Sequence, residues 1–354
     1  MRSKAIGFVI TTLVAFAGTG QTPTQSQERV FYLTSDEAPQ DLQEISTLTR
    51  AITDIGAISS DAARRSLAVR GTPDQVALAD WLIHELDRPS HAQPPAPYGQ
   101  NPTPTEYLLP FSVDNVVRVF YLNRAESPQQ FQEIAAVIRS MADIRRVFIY
   151  TPRRALALRA TADQTALAAW LIHELDEPAN AQPTPPSQNP APQEHRLPGD
   201  DVARVFYLTH QETPQQLQEI VTTIRSIADI RRAFIYNARK AAVVRATAEQ
   251  VALAAWLVNE LDKPVNAPSH PQSPGQTWQE YRLPTGSENV VRVFHLTHSE
   301  TPQQIQQIVM QIRATALVPR LFPYNALRAI TLRGTVSQVA SAERVIEEFD
   351  KAAR

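Results

Sequence analysis

Two histidines are the first candidates for chemistry, because they occupy the same place in two repeats of the sequence. His84 and His173 each stand in the segment WLIHELD. An imidazole repeated in this way could bind a metal ion or transfer a proton. Asn259 and Glu347 hold the equivalent place in two further repeats, however, and the HExxH spacing of a zinc-binding helix is absent. We therefore interpret both histidines as solvated residues on a helix face.

Other catalytic and cofactor-binding patterns are also missing from the sequence. It has no GxSxG elbow, Walker loop or GxGxxG fingerprint, and 10 glycines leave little material for phosphate-binding loops. The absence of cysteine excludes disulfides and thiolate metal sites. The other histidines are scattered over predicted linkers and strand ends, among them His195, His210, His270, His295 and His298. We expect no enzymatic activity, no cofactor and no metal site.

Charged residues are segregated within the repeats, and this pattern is the strongest candidate for a binding function. Basic residues surround a predicted hairpin: Arg145, Arg146, Arg154, Arg231, Arg232, Arg239, Lys240 and Arg320. Acidic residues end a predicted second helix: Glu174, Asp176, Glu260 and Asp262. Acid at a helix C-terminus opposes the helix dipole by about 0.3–1 kcal/mol per charge. We hypothesise that these two groups meet between repeats or between subunits; the alternative is a solvated pattern, screened within roughly 10 Å.

Two further sets of residues recur at matched positions. Arginines end the predicted third strand, where each could pair with a helix-end carboxylate of its own repeat or of a neighbour: Arg70, Arg159, Arg245 and Arg333. Tryptophans recur in the second helix: Trp81, Trp170 and Trp256. They lie one position off the predicted inner face, so each either packs at its edge or serves as an interface anchor.

These residues are positioned by a module that occurs four times. The stretch RVFYL starts at residues 29, 118 and 204 and returns as RVFHL at 292, with spacings of 89, 86 and 88 residues. Proline-rich segments separate the repeats and predict extended spacers. The predicted organisation is a signal peptide at 1–20, module 1 at 29–88, a linker at 89–105, module 2 at 106–177, a linker at 178–193, module 3 at 194–263, a linker at 264–279 and module 4 at 280–351.

Each module has the predicted order β-α-β-β-α. In module 2, RVFYL predicts a strand, and a Ser-Pro-Gln-Gln box starts a helix with Phe131, Ile134, Ile138 and Met141 on one face. Two strands and a second helix follow. The predicted fold class is therefore α+β, a small two-layer module with a three-stranded sheet covered by two helices. The segments EYLLP, EHRLP and EYRLP before modules 2 to 4 predict an added edge strand or a docking segment.

The N-terminus and the overall charge suggest the compartment. Arg2 and Lys4 precede a mainly apolar run of 13 residues, Ala5 to Ala17, which is typical of a secretory signal peptide, because a bilayer span needs roughly 20. An uncleaved membrane anchor is the alternative. No later segment is apolar enough to span a membrane. A formal net charge of −2 gives no global attraction to nucleic acid. We expect an exported protein, periplasmic or extracellular.

The end of each module resembles the N-terminal, ring-building domains of bacterial secretins. The resemblance rests on LAVRGTPDQVALADWLIHELDRP, its counterpart LALRATADQTALAAWLIHELDEP and TLRGTVSQVASAERVIEEFDKA. It covers all four modules but not the secretin channel domain, which we do not expect after module 4. The module order is also that of KH-type RNA-binding domains, but their GxxG clamp is absent.

The resemblance implies a function in protein–protein contact. Secretin N-domains project into the periplasm, pack side by side into rings and receive substrates or assembly partners. By that resemblance we expect a non-enzymatic envelope scaffold whose partners are other envelope proteins and copies of itself, linked to a secretion or pilus system. The alternative is a multivalent adhesin or glycan-binding repeat protein.

Overall fold

The structure is a computed structural model that describes residues 26–34, 39–87, 105–110, 112–176, 194–211, 213–264 and 277–351. The chain divides into two compact units, residues 1–181 and 182–354, and each unit holds two modules. The predicted signal peptide lies outside the described residues, as do the linkers except for residues at their ends. Within the described part, no helix is long and apolar enough to cross a bilayer.

The first unit contains modules 1 and 2. Module 1 consists of β1 (Gln27–Tyr32), α1 (Pro39–Thr53), β2 (Ala57–Asp61), β3 (Ser66–Gly71) and α2 (Pro73–Leu86). Module 2 consists of β4 (Thr105–Leu108), β5 (Val116–Tyr121), α3 (Pro128–Ala142), β6 (Arg146–Tyr150), β7 (Ala155–Ala160) and α4 (Ala162–Leu175). Both sheets are antiparallel, with the strand orders β1-β3-β2 and β4-β5-β7-β6.

The second unit repeats this construction in modules 3 and 4. Module 3 consists of β8 (Glu194–Arg196), β9 (Asp201–Tyr207), α5 (Pro214–Ile227), β10 (Arg232–Tyr236), β11 (Ala241–Thr247) and α6 (Ala248–Leu261). Module 4 consists of β12 (Trp278–Arg282), β13 (Val290–His295), α7 (Pro302–Thr315), β14 (Arg320–Tyr324), β15 (Ala329–Gly334) and α8 (Val336–Phe349). The strand orders are β8-β9-β11-β10 and β12-β13-β15-β14.

The α+β class and the β-α-β-β-α order are confirmed, and modules 2 to 4 add one strand. The EYLLP, EHRLP and EYRLP segments contribute β4, β8 and β12, each antiparallel to the RVFYL-type strand beside it. The three-stranded sheet predicted for every module therefore describes module 1 alone among the described residues. A short connection brings each added strand back along the sheet edge, as the bond from Leu283 N to the Asn289 carbonyl shows at 2.8 Å.

Local sequence accounts for where the helices start. Ser127, Thr213 and Thr301 each accept a hydrogen bond from the backbone N–H of a glutamine three residues later, and that glutamine bonds back to the cap. These capping boxes satisfy two backbone donors that a helix start leaves open, and the proline at the first helical position lacks a third. The second helices start with the same capping box, at Thr72, Thr161, Thr247 and Thr335, and only the first of them also has the proline.

The predicted inner faces form the module cores. Phe131, Ile134, Ile138 and Met141 are at most 3% exposed. The strand phenylalanines are also buried: Phe31, Phe120, Phe206 and Phe294. The opposite face of each sheet carries the side chains that are available for contact with another module.

Candidate functional site: the module-to-module interfaces

The two modules of the first unit share one buried cluster, which we call the first interface. The outer sheet face of module 2 supplies Val117, Val119 and Tyr150, and Tyr150 is fully buried. Residues of α1, including Leu48 and Ile52, belong to the same cluster. The sheet of one module therefore packs on the first helix of the module before it, and apolar burial of this kind contributes about 25 cal/mol per Å².

A carboxylate at the end of α1 receives two arginines of module 2. Asp54 Oδ1 lies 3.0 Å from Arg146 Nη2, and Asp54 Oδ2 lies 3.0 Å from Arg159 Nη1. Asp54 has a left-handed backbone with φ 59°, a conformation that Asp adopts more readily than most residues. This turn directs its carboxylate away from the helix that it ends.

Arg159 is the most constrained charged group of the first interface. Its guanidinium also donates to the Ile52 carbonyl at 3.0 Å, the Asp114 carbonyl at 3.1 Å and Ser112 Oγ at 3.1 Å. Burial lowers the pKa of Arg159, as does the nearby Arg146, while Asp54 raises it. The guanidinium remains charged at neutral pH, because arginine titrates far above it. The Arg159 side chain therefore forms hydrogen bonds to both modules.

The second unit repeats the arrangement in the second interface, between modules 3 and 4. Arg333 Nη1 donates to the Ile227 carbonyl at 3.0 Å, and Arg320 Nη2 lies 3.3 Å from Asp229 Oδ2. Asp229 also has a left-handed backbone, with φ 58°. Tyr324 is fully buried against module 3, and its hydroxyl donates to the side-chain oxygen of Gln211. Burial raises the pKa of Tyr324, so the group is a neutral phenol.

At the opposite end of each interface, a glutamate of the first helix contacts the hairpin of the following module. Glu44 accepts a hydrogen bond from the backbone N–H of Thr151 at 3.2 Å, and Glu219 accepts one from Asn325 at 3.4 Å. Both donors start the single helical turn inside the hairpin of the following module. A carboxylate suits this position, because backbone N–H groups point outward at a helical start.

Two of the predicted tryptophans contact the edge strand of the next module. The ring centroids of Trp81 and Tyr107 are 5.6 Å apart, and those of Trp256 and Tyr281 are 5.5 Å apart. The tyrosines belong to β4 and β12, the strands added by the EYLLP and EYRLP segments. These two tryptophans therefore lie at an interface as well as at the edge of their own module. Trp170 is half-buried in α4.

The acidic residues predicted to meet the hairpins are placed differently. The carboxylate of Asp176 accepts bonds from the backbone N–H groups of Asn123, Arg124 and Ala125, all in its own module. Burial raises the pKa of Asp176, and these three bonds oppose the shift. Asp262 bonds in the same way to the loop after β9. The equivalent residues of modules 1 and 4, Asp87 and Asp350, bond to the loops after β1 and β13. Each aspartate therefore joins the end of the second helix to the loop after the RVFYL-type strand of its own module.

The glutamates beside these aspartates are buried. Glu174 and Glu260 are 8% and 6% exposed, and Glu260 pairs with Lys263 on the same helix end. The carboxylates that do meet the predicted basic hairpins are Asp54 and Asp229, at the end of the first helix. A sequence signal for them existed, because Asp-Ile follows the first helix in three of the four modules.

The predicted basic residues divide into contact residues and exposed residues. Arg146 and Arg320 lie in the interfaces described above. Arg239 stacks 4.7 Å from the centre of the Tyr207 ring, and Arg232 is half-buried. Four members of the predicted set are exposed: Arg145, Arg154, Arg231 and Lys240. Arg154 and Lys240 have left-handed backbones that close their hairpins, with φ 50° and 48°.

The outer faces of the first and last modules lack the interface residues. In α7, Gln307 stands where α1 and α5 have glutamate, and Leu317 stands where they are followed by aspartate. Leu317 is 73% exposed. On the sheet of module 1, the exposed Asp61 replaces the buried tyrosine of modules 2 and 4.

Comparisons with solved structures return secretin structures. ExeD of Aeromonas hydrophila is 13% identical over 68% of this chain and 41% of its own, with a TM-score of 0.16. The N-terminal domain of the secretin XcpQ of Pseudomonas aeruginosa is 14% identical over 48% of this chain and 69% of its own, with a TM-score of 0.19. The type II secretion system secretin GspD of E. coli is 12% identical over 68% and 40%, with a TM-score of 0.16.

This chain thus spans 41% of the length of ExeD and 40% of that of GspD. Comparisons with protein-family models and with curated proteins find no match. In the part of the chain that the structure describes, no group of three or more His, Asp or Glu residues is placed to hold a metal ion.

Proposed function

We propose that this protein is an exported, non-enzymatic scaffold of the cell envelope, built of four secretin N-domain-like modules that hold other envelope proteins or further copies of the chain. The periplasm of a diderm bacterium is the proposed compartment. A link to a secretion or pilus system is proposed on the resemblance of the module ends to secretin N-domains.

One observation carries the proposal: the chain uses the same contact twice. In both units a sheet face with a buried tyrosine packs on a first helix, and an arginine donates to that helix's terminal carbonyl at 3.0 Å. A surface that recurs with the same chemistry at two places is suited to binding related modules. Its mixture of an apolar centre with charged groups around it is typical of specific protein–protein contacts.

Export and assembly can be tested on the full chain in its native host. We expect a C-terminally tagged chain to be recovered in the periplasmic fraction after osmotic shock, as a defined oligomer or with a constant set of envelope proteins. The matched control is the same chain without residues 1–20, which should stay in the cytoplasm and capture none of them. Recovery of the exported chain as a monomer without partners, by light scattering after chemical cross-linking, would contradict the scaffold function.

A further inference from the structure

The first strand of module 1 differs from its three equivalents at one edge. In modules 2 to 4 the equivalent strand is paired on both sides, because β4, β8 and β12 cover its outer edge. In module 1, β1 pairs with β3 alone among the described residues. The sequence before Gln27 also contains no segment of the EYxLP type. An uncovered edge strand is a template for an added strand, since its backbone N–H and C=O groups point outward.

The three covering strands show what such an edge accepts. In each, a glutamate stands directly across from the arginine of the RVFYL motif, in the same register. Glu194 Oε1 lies 3.1 Å from Arg204 Nη1, and Glu280 Oε2 lies 2.5 Å from Arg292 Nε. The corresponding pair in module 2, Glu106 and Arg118, is 3.8 Å apart. The added strand is therefore recognised by an acidic residue at one fixed position.

Module 4 gives the closest template for module 1, because its arginine has a second carboxylate. Arg292 Nη1 lies 2.6 Å from Glu343 of α8, in addition to its contact with Glu280. In module 1, Arg29 Nη1 lies 2.9 Å from Asp80, which occupies the equivalent position on α2. The helix carboxylate and the arginine are thus both present in module 1. The carboxylate of an edge strand is the missing member among the described residues.

Exposure agrees with this comparison. The side chain of Arg29 is 34% exposed, whereas that of Arg292 is 14% exposed beneath its covering strand. Arg29 also lies 5.1 Å from the centre of the Phe31 ring, which orients the guanidinium beside the edge.

We propose that the outer edge of β1 binds an extended segment of a partner protein, as a fourth antiparallel strand with a glutamate opposite Arg29. The segment has the chemistry of this chain's own added strands: a glutamate followed by an aromatic residue and, two positions later, by Leu-Pro. The inference does not depend on the proposed scaffold function, because the site is defined by module 1 alone.

A peptide from the chain itself is the probe. A fluorescein-labelled peptide with the sequence of residues 276–285, QTWQEYRLPT, is titrated against the mature full chain from Gln21, and binding is followed by fluorescence anisotropy. We expect saturable binding. Arg29→Glu should weaken it at least ten-fold, and the peptide with Glu280→Arg should bind the wild-type chain equally poorly. Combining the two reversed partners should restore at least part of the affinity. Arg145→Glu, at an exposed arginine of module 2, is the matched control and should bind like the wild type.

Register provides a second readout. The chain contains no cysteine, so Val30→Cys introduces a single thiol. By the pairing of Gln279 with Val293, a peptide with Gln279→Cys should form a disulfide with this variant faster than a peptide with the cysteine shifted by one residue. Circular dichroism verifies that each variant is folded, and Arg29→Gln replaces Arg29→Glu if the latter unfolds.

Three results would overturn the proposal. The first is no binding at millimolar peptide. The second is binding that neither charge reversal changes. The third is binding that appears only when residues 21–26 are deleted, because the chain's own leading segment would then be the occupant of the edge.

Discussion

The two interfaces share their apolar and backbone contacts and differ in their side-chain ion pairs. Both bury a tyrosine of the following sheet and both use an arginine that donates to a helix-end carbonyl at 3.0 Å. In the first interface, however, Asp54 binds two arginines at 3.0 Å. In the second, Asp229 is 3.3 Å from one arginine, which also lies 3.7 Å from Glu288. Packing is therefore the common element of the two interfaces, and the charge contacts around it vary.

The two interfaces also differ in one polar side chain at their edge. In the first interface the hydroxyl of Tyr121 donates to the Glu85 carbonyl at 2.8 Å. Its equivalent in the second interface is His295, whose pKa is affected by Lys263 and Glu260 and which therefore faces the same helix end. The position thus holds a phenol in one unit and an imidazole in the other, and burial lowers the pKa of that imidazole.

Removing the buried tyrosines should have the largest effect. Tyr150→Ala and Tyr324→Ala should each cost about 3–5 kcal/mol at their own interface, because truncating a buried aromatic loses contact and leaves a cavity. Amide hydrogen exchange on the full chain reports each unit separately, through α1 for the first interface and α5 for the second. Equal exchange in both units after either substitution would contradict this localisation. Tyr32→Ala is the control, because Tyr32 is 64% exposed and should change the free energy of unfolding by less than about 0.5 kcal/mol.

Replacing the two interface aspartates should have the next largest effect, and the effect should differ between the two interfaces. Asp54→Ala should destabilise the first interface by about 1–2 kcal/mol, because it leaves the charge of Arg159, whose side chain is only 12% exposed, without its carboxylate. Asp229→Ala should cost about 0–1 kcal/mol, since Asp229 is 66% exposed and exposed pairs contribute little. Hydrogen exchange of β6 and β14 measures both effects. Glu348→Ala, at an exposed helix-end carboxylate, is the control. A larger loss with Asp229→Ala than with Asp54→Ala would contradict this ranking of the two aspartates.

The sequence could predict the modules much better than their contacts. Strands, capping boxes and inner faces such as Phe131 and Ile134 follow from local periods and from residues three or four apart. The partner of Arg159 could not be found in this way, because Asp54 lies 105 residues earlier. Asp54 also resembles an ordinary residue at a helix end. The contacts of Asp176 inside its own module could not be found from local sequence either, because they involve the backbone N–H groups of a loop more than 50 residues away.

The hydroxyl of Tyr121 should contribute less than the ion pairs of the first interface. Tyr121→Phe keeps the ring and removes one hydrogen bond, so it should cost about 1 kcal/mol. The measurement is the exchange rate of amides at the C-terminal end of α2, which carries the accepting carbonyl. The second unit, which has no tyrosine at this place, is the internal control. An unchanged rate in α2 would mean that water replaces the hydroxyl without loss.

The smallest effect should be a pH dependence confined to the second interface. Burial lowers the pKa of His295, and Lys263 lowers it further while Glu260 opposes the shift. The Nε2 atom of His295 is buried and has no hydrogen-bond partner among the described residues. Protonation therefore places an unpaired charge in the interface. Because the folded-state pKa lies below the unfolded value of about 6.5, the stabilisation is complete above that pH and is lost as the pH falls below it.

His295→Tyr introduces the residue of the first interface and should abolish this dependence. We expect hydrogen exchange of β13, corrected for the intrinsic effect of pH, to accelerate between pH 7 and pH 5.5 in the wild type and to stay constant in the variant. β5, with Tyr121 at the equivalent position, should stay constant in both. His84→Gln is the control, because His84 is exposed on α2 and belongs to the other unit. If His295→Tyr kept the acceleration, another group of the second unit would be responsible, and the difference between the two rims would have no part in the response to pH.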